Sequence, residues 1–242
     1  MDTRVDEIAD GILRISTWVP QLVPPAGFTF NQYLIMADAP LLFHCGGRNL
    51  FPAVSAAVAT RMPLERLRYI SFGHVESDEC GSMNQWLAAA PLAEVVHGRL
   101  ACDVSLNDLA DRPPRALGDG EVLDLGGKRV RWIDTPHVPH AWESGLLFEE
   151  TTGTLMSGDI FAHAGNGPAV DRHDIVADAI AAEDIFGATA LTPATAPTLR
   201  RLAQLRPTRL AVMHGSCFEG DCAGALNRLA DYFERALRSA VG

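Results

Sequence analysis

Short apolar runs alternate with stretches of helical periodicity along the whole chain. The clearest pattern lies between residues 121 and 133, where two alternating runs flank Gly126-Gly127 and predict a β-hairpin. A second hairpin is predicted from 145–149 and 154–157. Further strands are predicted at 12–17, 31–36, 40–44, 68–72, 94–97 and 209–213. Helices are predicted at 51–61, 80–90, 174–186, 196–205 and 221–240.

The order of these elements predicts the fold class. Strand-rich stretches occur in both halves of the chain, and each is followed by helices. This order predicts an α/β (α+β) fold with two mixed sheets and helices outside them, a four-layer αββα sandwich. A doubly wound parallel sheet is the competing layout, and the hairpins count against it. Because no linker interrupts 1–242, we expect a single domain.

Composition narrows the class of protein and its partners. Hydrophobic residues make up 48% of the chain and charged residues 21%, which is typical of a globular protein. The net charge of −10 argues against nucleic acid and anionic membranes as partners. No apolar run approaches the ~18 residues of a transmembrane helix. The five cysteines form no CxxC pair and the N-terminus lacks an apolar signal segment, so we expect a cytoplasmic protein with reduced thiols.

One stretch combines a histidine and two carboxylates at alternating positions. His74, Glu76 and Asp78 follow a short apolar strand and precede a helix. If the backbone is extended there, the three side chains project to one side and form half of a metal site, while Glu79 points the other way. The alternative is a solvated loop in which Asp78 caps the helix. Both interpretations remain open on this stretch alone.

Three further elements place a histidine or an aspartate at the end of an apolar run. They are Asp134-Thr135-Pro136-His137-Val138-Pro139-His140, Ser157-Gly158-Asp159 and Val212-Met213-His214-Gly215. Loops in these positions line the edge of a sheet. Because four such elements are unlikely to be independent coincidences, they predict one metal site assembled from distant parts of the chain.

The order of these motifs resembles the metallo-β-lactamase superfamily over nearly the whole chain. The motifs are His-x-Glu-x-Asp, Thr-Pro…His, Ser-Gly-Asp and a late histidine at the end of a strand. Hydrolases of that superfamily carry His-x-His-x-Asp-His, where this chain has His74-Val75-Glu76-Ser77-Asp78-Glu79. The glutamate at the third position is similar to that of the flavodiiron branch and its stand-alone relatives, the oxygen-binding di-iron proteins. The resemblance implies an αββα sandwich of the metallo-β-lactamase type with a dinuclear metal site.

The resemblance also implies a ligand for each metal position. One metal would be held by His74, Glu76 and His140, the other by Asp78 and His214, and Asp159 would bridge the two. His140 is preferred to His137 because the ligand of the family lies four residues before a small residue that starts a strand, here Ser144. His137 is then expected beside the ligands or along a channel. Glu79 is expected to orient a ligand imidazole, or to be a first-turn carboxylate favoured by the helix dipole, or both.

Charge and donor type favour iron at this site. Three carboxylates and three neutral imidazoles bring a charge of −3, two divalent ions bring +4, and a bridging hydroxide would cancel the remainder. Oxygen-rich donor sets suit iron or manganese, whereas histidine-rich tetrahedral sites suit zinc. We therefore expect two iron ions, with two zinc or manganese ions as the alternative.

The expected function follows from the expected metal. A pair of ferrous ions can each give one electron to dioxygen or a related small diatomic, whereas two zinc ions would make the chain a metallo-hydrolase of ester, amide or thioester bonds. Flavodiiron enzymes carry a C-terminal flavodoxin domain that holds FMN, and we expect no FMN site in this chain. Electrons would then come from a separate reductase, or the protein would be an oxygen sensor or carrier rather than an enzyme. A homodimer is implied by the resemblance alone.

Overall fold

The computed structural model describes residues 2–241, which form two seven-stranded sheets. The first sheet consists, in spatial order, of β1 (Asp2–Ala9), β2 (Ile12–Val19), β3 (Phe28–Ile35), β4 (Leu41–Phe43), β5 (Tyr69–Ser71), β6 (Glu94–Gly98) and β7 (Arg115–Leu117). Strands β1 to β4 are antiparallel, and β4 to β7 are parallel. This sheet is therefore mixed.

The second sheet is built from the later strands. They are β8 (Val122–Asp124), β9 (Arg129–Asp134), β10 (Gly145–Glu149), β11 (Thr154–Gly158), β12 (Val170–Asp171), β13 (Arg209–Val212) and β14 (Cys217–Glu219). Their spatial order is β12-β14-β13-β11-β10-β9-β8. The β11–β13 and β12–β14 pairs are parallel and the other pairs are antiparallel, so the doubly wound parallel layout is wrong.

Helices cover the outer faces of both sheets. They are α1 (Phe51–Ala59), α2 (Ser77–Cys80), α3 (Met83–Ala89), α4 (Arg99–Ala101), α5 (Asn107–Leu109), α6 (Ile175–Phe186), α7 (Thr195–Ala203) and α8 (Cys222–Val241), with a 3₁₀ turn at Leu64–Arg66 and a π-helical segment at Cys102–Leu106. Within residues 2–241, no helix has both the length and the apolar character needed to cross a bilayer.

Three apolar clusters define four layers. One cluster lies between the sheets and contains residues of both, such as Tyr33 and Ile35 of β3 and Trp132 of β9. Leu34, which points to the opposite face of β3, packs in a second cluster with residues of α1 and α3. The third cluster joins the second sheet to α6, α7 and α8. The predicted αββα sandwich of two mixed sheets is confirmed.

Several elements differ from the sequence-based predictions: strands β1, β7, β12 and β14 and helices α4 and α5 were not predicted, and one predicted helix is divided. Strand β1 was not expected because its sequence is largely polar; it pairs with β2 at the edge of the sheet, where such a strand is tolerated. The helix predicted over 80–90 is divided into α2 and α3. It divides at Ser82, whose N–H donates to the Gly46 carbonyl and whose hydroxyl donates to the Cys45 carbonyl, so tertiary contacts replace helical ones.

The two sheets are tied together at the edge where the predicted site lies. The side chain of Asn31 donates to the carbonyls of Val212 and Gly215, 2.9 Å each, and its backbone N–H donates to Met213. The N–H of Gly145, at the start of β10, donates to the carbonyl of Gly73 at 2.8 Å. These bonds hold the loop after β13 against β3 and the loop after β5 against the start of β10.

Candidate metal centre

Six side chains from four loops meet at this edge of the sandwich. They are His74, Glu76, Asp78, His140, Asp159 and His214, here called the ligand cluster. The backbone of the first motif differs from the expectation. Glu76 is extended (φ −134°, ψ 155°), but Asp78 already lies in the first turn of α2. The three side chains therefore converge because a helix begins at Ser77, and not because the chain stays extended.

One half of the ligand cluster surrounds Glu76. Its Oε2 lies 2.8 Å from Nε2 of His74 and 3.0 Å from Nε2 of His140. Oδ2 of Asp159 lies 3.8 Å and 3.9 Å from the same two nitrogens. One donor atom from each of these four residues thus lies within 4.8 Å of the others, which is the spacing of atoms around a single ion.

The other half surrounds His214. Its Nε2 lies 3.3 Å from Oδ2 of Asp78 and 3.3 Å from Oδ1 of Asp159. Asp159 consequently directs one carboxylate oxygen toward each half of the cluster. Two groups of donors that share one carboxylate are the arrangement that a dinuclear site requires.

Each imidazole of the cluster presents Nε2 to its centre because Nδ1 is held elsewhere. Nδ1–H of His214 donates to the carbonyl of Thr29 at 2.7 Å, and Nδ1–H of His140 donates to the carbonyl of Ala188 at 3.0 Å. Nδ1 of His74 lies 3.4 Å from Oε1 of Glu79. Such partners fix the ring and leave the Nε2 lone pair for a metal.

Glu79 lies directly behind the cluster and is fully buried. Its Oε2 accepts the backbone N–H groups of Gly73 and His74, both at 2.7 Å. Its Oε1 lies 3.3 Å from Nε2 of His44, whose Nδ1 faces the carbonyl of Asn31. Burial opposes ionisation of Glu79, but the charges of His74 and His44 outweigh it and hold its pKa well below the usual range. The carboxylate thus anchors both the backbone and the ring of His74.

When only protein groups are present, protons on the imidazoles supply the positive charge of the cluster. Burial opposes the charged form of His74, but Glu79 and Glu76 raise its pKa to about 10. Burial likewise opposes protonation of His214, yet the nearby carboxylates of Asp159 and Asp78 raise its pKa to about 10. Protons on the imidazoles therefore balance the carboxylates, and a bound metal would replace them.

The structure does not bring His137 into the ligand cluster. Its side chain is exposed, and in the described part of the chain it has no hydrogen bond or ion pair. Its backbone instead adopts a left-handed conformation (φ 65°) and its N–H donates to the Ala141 carbonyl at 2.8 Å. Ala141 is also left-handed (φ 61°), so two strained residues bracket the loop that presents His140. His137 shapes this loop through its backbone.

A cavity of about 420 Å³ opens onto the ligand cluster. Phe28 stacks on the ring of His214, with centroids 4.2 Å apart, and Phe30 meets the same ring edge-on at 5.1 Å. The two phenyl groups shield His214 from water on the cavity side. They belong to β3, so the same strand that holds Nδ1 of His214 also covers its ring.

The residues present fit a pair of divalent ions. Oδ1 of Asp159 is buried and accepts no hydrogen bond, although it lies 3.3 Å from Nε2 of His214. A buried carboxylate oxygen left without a partner is costly unless a cation completes its surroundings. The donor set of three carboxylates and three imidazoles matches the preferences of iron and manganese.

Comparison with known proteins identifies the family of the chain. Residues 28–215 match the family described as ODP family beta lactamase. The chain belongs to this family. All six residues of the ligand cluster fall within the matched region.

Relatives of this ODP-family chain include oxidoreductases. Rubredoxin-oxygen oxidoreductase of Megalodesulfovibrio gigas is 22% identical over 228 residues, covering 87% of this chain and 55% of that protein. Coenzyme F420H(2) oxidase of Methanothermobacter marburgensis is 27% identical over 188 residues, covering 74% of this chain and 46% of that protein. The first relatives are matched over 24% to 55% of their length, so the chain spans about a quarter to about half of them.

Solved structures of flavodiiron proteins share the fold of this ODP-family chain. The metal-soaked Flv1 flavodiiron core from Synechocystis sp. PCC6803 superposes with a TM-score of 0.83 at 22% sequence identity. The match covers 98% of this chain and 61% of that one. At this identity the likeness establishes the architecture, and the roles of individual side chains rest on the geometry described above.

Some groups around the ODP-family site had no signal in the sequence. The acceptors for Nδ1 of His214 and His140 are the backbone carbonyls of Thr29 and Ala188, and any residue type supplies a carbonyl. Glu143, whose Oε1 accepts the N–H of Val75 at 3.1 Å, ties the two ligand loops together and was likewise not singled out. These contacts depend on how distant segments approach in the folded chain.

Proposed function

We propose that this chain is a dinuclear iron protein that binds or reduces dioxygen or a related diatomic molecule. The observation that carries the proposal is the carboxylate of Glu76, which lies between the Nε2 atoms of His74 and His140 where a zinc hydrolase of the superfamily would have a third imidazole. That carboxylate makes the donor set rich in oxygen, which favours iron over zinc. The printed names of the two relatives, an oxygen oxidoreductase and an oxidase, support the same chemistry.

The ligand cluster would divide between two ions. His74, Glu76 and His140 would hold one, whereas Asp78 and His214 would hold the other, and Asp159 would contact both through its two oxygens. Five of these six residues line the cavity: Glu76, Asp78, His140, Asp159 and His214. When bound, a pair of ferrous ions supplies two electrons and open coordination positions for a diatomic molecule.

The surrounding residues have separate tasks in this proposal. Glu79 and the carbonyls of Thr29 and Ala188 keep the three Nε2 atoms aimed at the ions. Phe28 and Phe30 keep bulk water away from His214. A dry, apolar approach to the ions suits a neutral diatomic, which needs no charged group to guide it.

The proposal contains two alternatives for turnover. Either a separate reductase returns electrons to the iron pair, and the protein is an oxidoreductase, or the protein binds dioxygen without steady turnover as a sensor or carrier. A homodimer is part of the same proposal. Stopped-flow mixing of the reduced, iron-loaded protein with dioxygen separates the first two: a spectrum that returns fully after removal of dioxygen indicates reversible binding, and an oxidised spectrum that needs added reductant indicates an oxidoreductase.

Metal analysis tests the proposal directly. Protein produced in iron-rich medium is expected to contain about two iron ions per chain and to show a charge-transfer absorption band when oxidised or exposed to air. The variant Glu76→His is expected to shift the metal content toward zinc, because it restores the imidazole that the hydrolases have at the third position of the motif. Glu65→His, at an exposed position outside the site, is the matched control and should retain iron.

Two outcomes would contradict the proposal. One is wild-type protein that holds two zinc ions, lacks the absorption band and hydrolyses a generic ester. The other is a Glu76→His variant whose metal content equals that of the Glu65→His control, which would show that the glutamate does not select the metal.

A further inference from the structure

The cavity above the ligand cluster is much larger than a diatomic molecule. Its volume is about 420 Å³. A water molecule, which is similar in size to dioxygen, takes up about 30 Å³ in the liquid. Volumes of this order are typical of pockets that enclose small organic ligands. Access of a diatomic to the metals would need only a narrow channel.

The walls of this cavity are apolar. They are formed by Leu22, Val23, Phe28, Phe30, Ala162 and Phe186, among others. Every ionisable group that lines the cavity belongs to the ligand cluster on its floor. A molecule in the cavity would therefore meet hydrocarbon on its sides and the metal centre at one end.

Within residues 2–241, no lysine or arginine lines this cavity. A neighbouring cavity of about 480 Å³ shares Phe30 and Asp78 with it and is also lined by Arg48. An anionic group held against the apolar walls, away from the metal centre on the floor, would thus be desolvated without a paired counter-charge, which is costly. The walls favour a neutral ligand.

The mouth of the cavity exposes large apolar side chains. Phe186, the last residue of α6, is 50% exposed, and Leu22, which also lines the cavity, is 44% exposed. The Phe186 ring lies 5.9 Å from that of Phe28, so the apolar wall continues from the surface to the shield over His214. A continuous apolar path of this kind favours the entry of an apolar molecule.

We propose that this cavity binds a neutral, largely apolar organic molecule of about 10 to 20 non-hydrogen atoms, one end of which reaches the dinuclear centre. This ligand class goes beyond the diatomic chemistry proposed above. Its recognition rests on the walls and does not depend on which metal is bound.

Two fluorescent probes that differ by one charged group test the charge preference. N-phenyl-1-naphthylamine is neutral, and 8-anilino-1-naphthalenesulfonate has the same ring skeleton with an added sulfonate. Both are titrated into the metal-loaded, full-length protein, and the metal content of the same sample is measured separately. We expect the neutral probe to bind at least about tenfold more tightly, because the walls offer the sulfonate no counter-charge.

Two neighbouring variants test the location. Phe186→Ala removes an aromatic wall and should weaken binding of the neutral probe about fivefold. Ile185→Ala is the matched control, since this residue is 69% exposed and does not line the cavity, and it should bind the probe as the wild type does. Ala188→Trp places an indole in the cavity and should abolish binding. Circular dichroism of each variant checks that it is folded.

Three results would overturn the proposal: tighter binding of the sulfonated probe, equal effects of the Phe186→Ala and Ile185→Ala variants, or a neutral probe that still binds fully to Ala188→Trp. Loss of neutral-probe binding in Arg48→Ala would instead assign ligand binding to the neighbouring cavity, which Arg48 lines, and would also overturn it. Because iron content is measured independently, failure here is distinguishable from failure of the di-iron proposal.

Discussion

Replacement of Glu79 by glutamine would measure how strongly metal binding depends on the orientation of a single imidazole. The substitution keeps the size and shape of the side chain and removes its charge. The amide oxygen can still accept the backbone N–H groups of Gly73 and His74, which lie 2.7 Å from Oε2 in the wild type. The amide NH₂ must then take the place of Oε1, 3.4 Å from Nδ1 of His74.

The consequence is a pair of donors that face each other in a site without water. Nδ1 of His74 loses the carboxylate oxygen that faces it at 3.4 Å, and because Glu79 is 0% exposed, solvent cannot replace it. The ring must rotate, or its proton must move to Nε2, which would block the metal-binding nitrogen. Loss of such a partner typically lowers metal affinity about 10- to 100-fold, which corresponds to about 1.4 to 2.7 kcal/mol.

Competition with a chelator under anaerobic conditions gives the affinities of wild type and variant for ferrous iron. Glu143→Gln is the matched control. Glu143 is also buried (8% exposed) and accepts a backbone N–H, that of Val75, but contacts no imidazole of the ligand cluster. The control should retain affinity close to that of the wild type. Equal affinity of Glu79→Gln and wild type, or equal losses in both variants, would refute the role assigned to Glu79.

Three further predictions concern core packing, proton release on metal binding, and the pH dependence of stability. Gly145→Ala would put a Cβ 2.1 Å from Cζ2 of the buried Trp132, and it should lower the free energy of unfolding by about 1–3 kcal/mol in urea titrations. Gly118→Ala, whose Cβ would meet nothing closer than 3.7 Å, should be tolerated; a similar loss in both would contradict the steric argument. Metal binding at pH 8 should release about two protons per chain, because His74 and His214 have pKa values raised to about 10, and an indicator-dye assay that detects none would oppose this. In the metal-free protein these raised pKa values stabilise the fold fully below pH ~6.5 and progressively less as the pH rises through about 10, so its thermal midpoint should fall over that range.

Much of the architecture was accessible from local patterns. The alternating runs around Gly126-Gly127 became β8 and β9, and the second predicted hairpin became β10 and β11. Both hairpins depend on contacts between neighbouring residues of the chain, which a sequence pattern records directly. Strand β1 was not predicted because its pairing with β2, and not its own apolar content, makes it a strand.

In the candidate site, too, the features recorded in local sequence could be predicted and those set by distant contacts could not. His74, Glu76 and Asp78 were expected on one side of an extended segment; the structure brings them together through a helix that begins at Ser77. Residue types and spacing identified the donors, whereas the backbone path depended on contacts of the Gly81–Ser82 region with Cys45 and Gly46. The sequence position of a donor was therefore more informative than its assumed local conformation.

The groups that orient the donors could not be predicted. Nδ1 of His214 is held by a carbonyl 185 residues away in the chain, and Nδ1 of His140 by one 48 residues away. These acceptors exist only once β3 and the segment after α6 have packed against the ligand loops. The apolar cavity has the same origin, because its walls come from the start of β3, the loop before it and the end of α6.

Anomalous diffraction at the iron edge, from crystals of protein prepared with iron under anaerobic conditions, tests the central claim most directly. The account predicts two iron peaks about 3.5–4 Å apart, one among His74, Glu76 and His140 and the other between Asp78 and His214, with Asp159 contacting both. A single peak, peaks outside these side chains, or signal only at the zinc edge would contradict it.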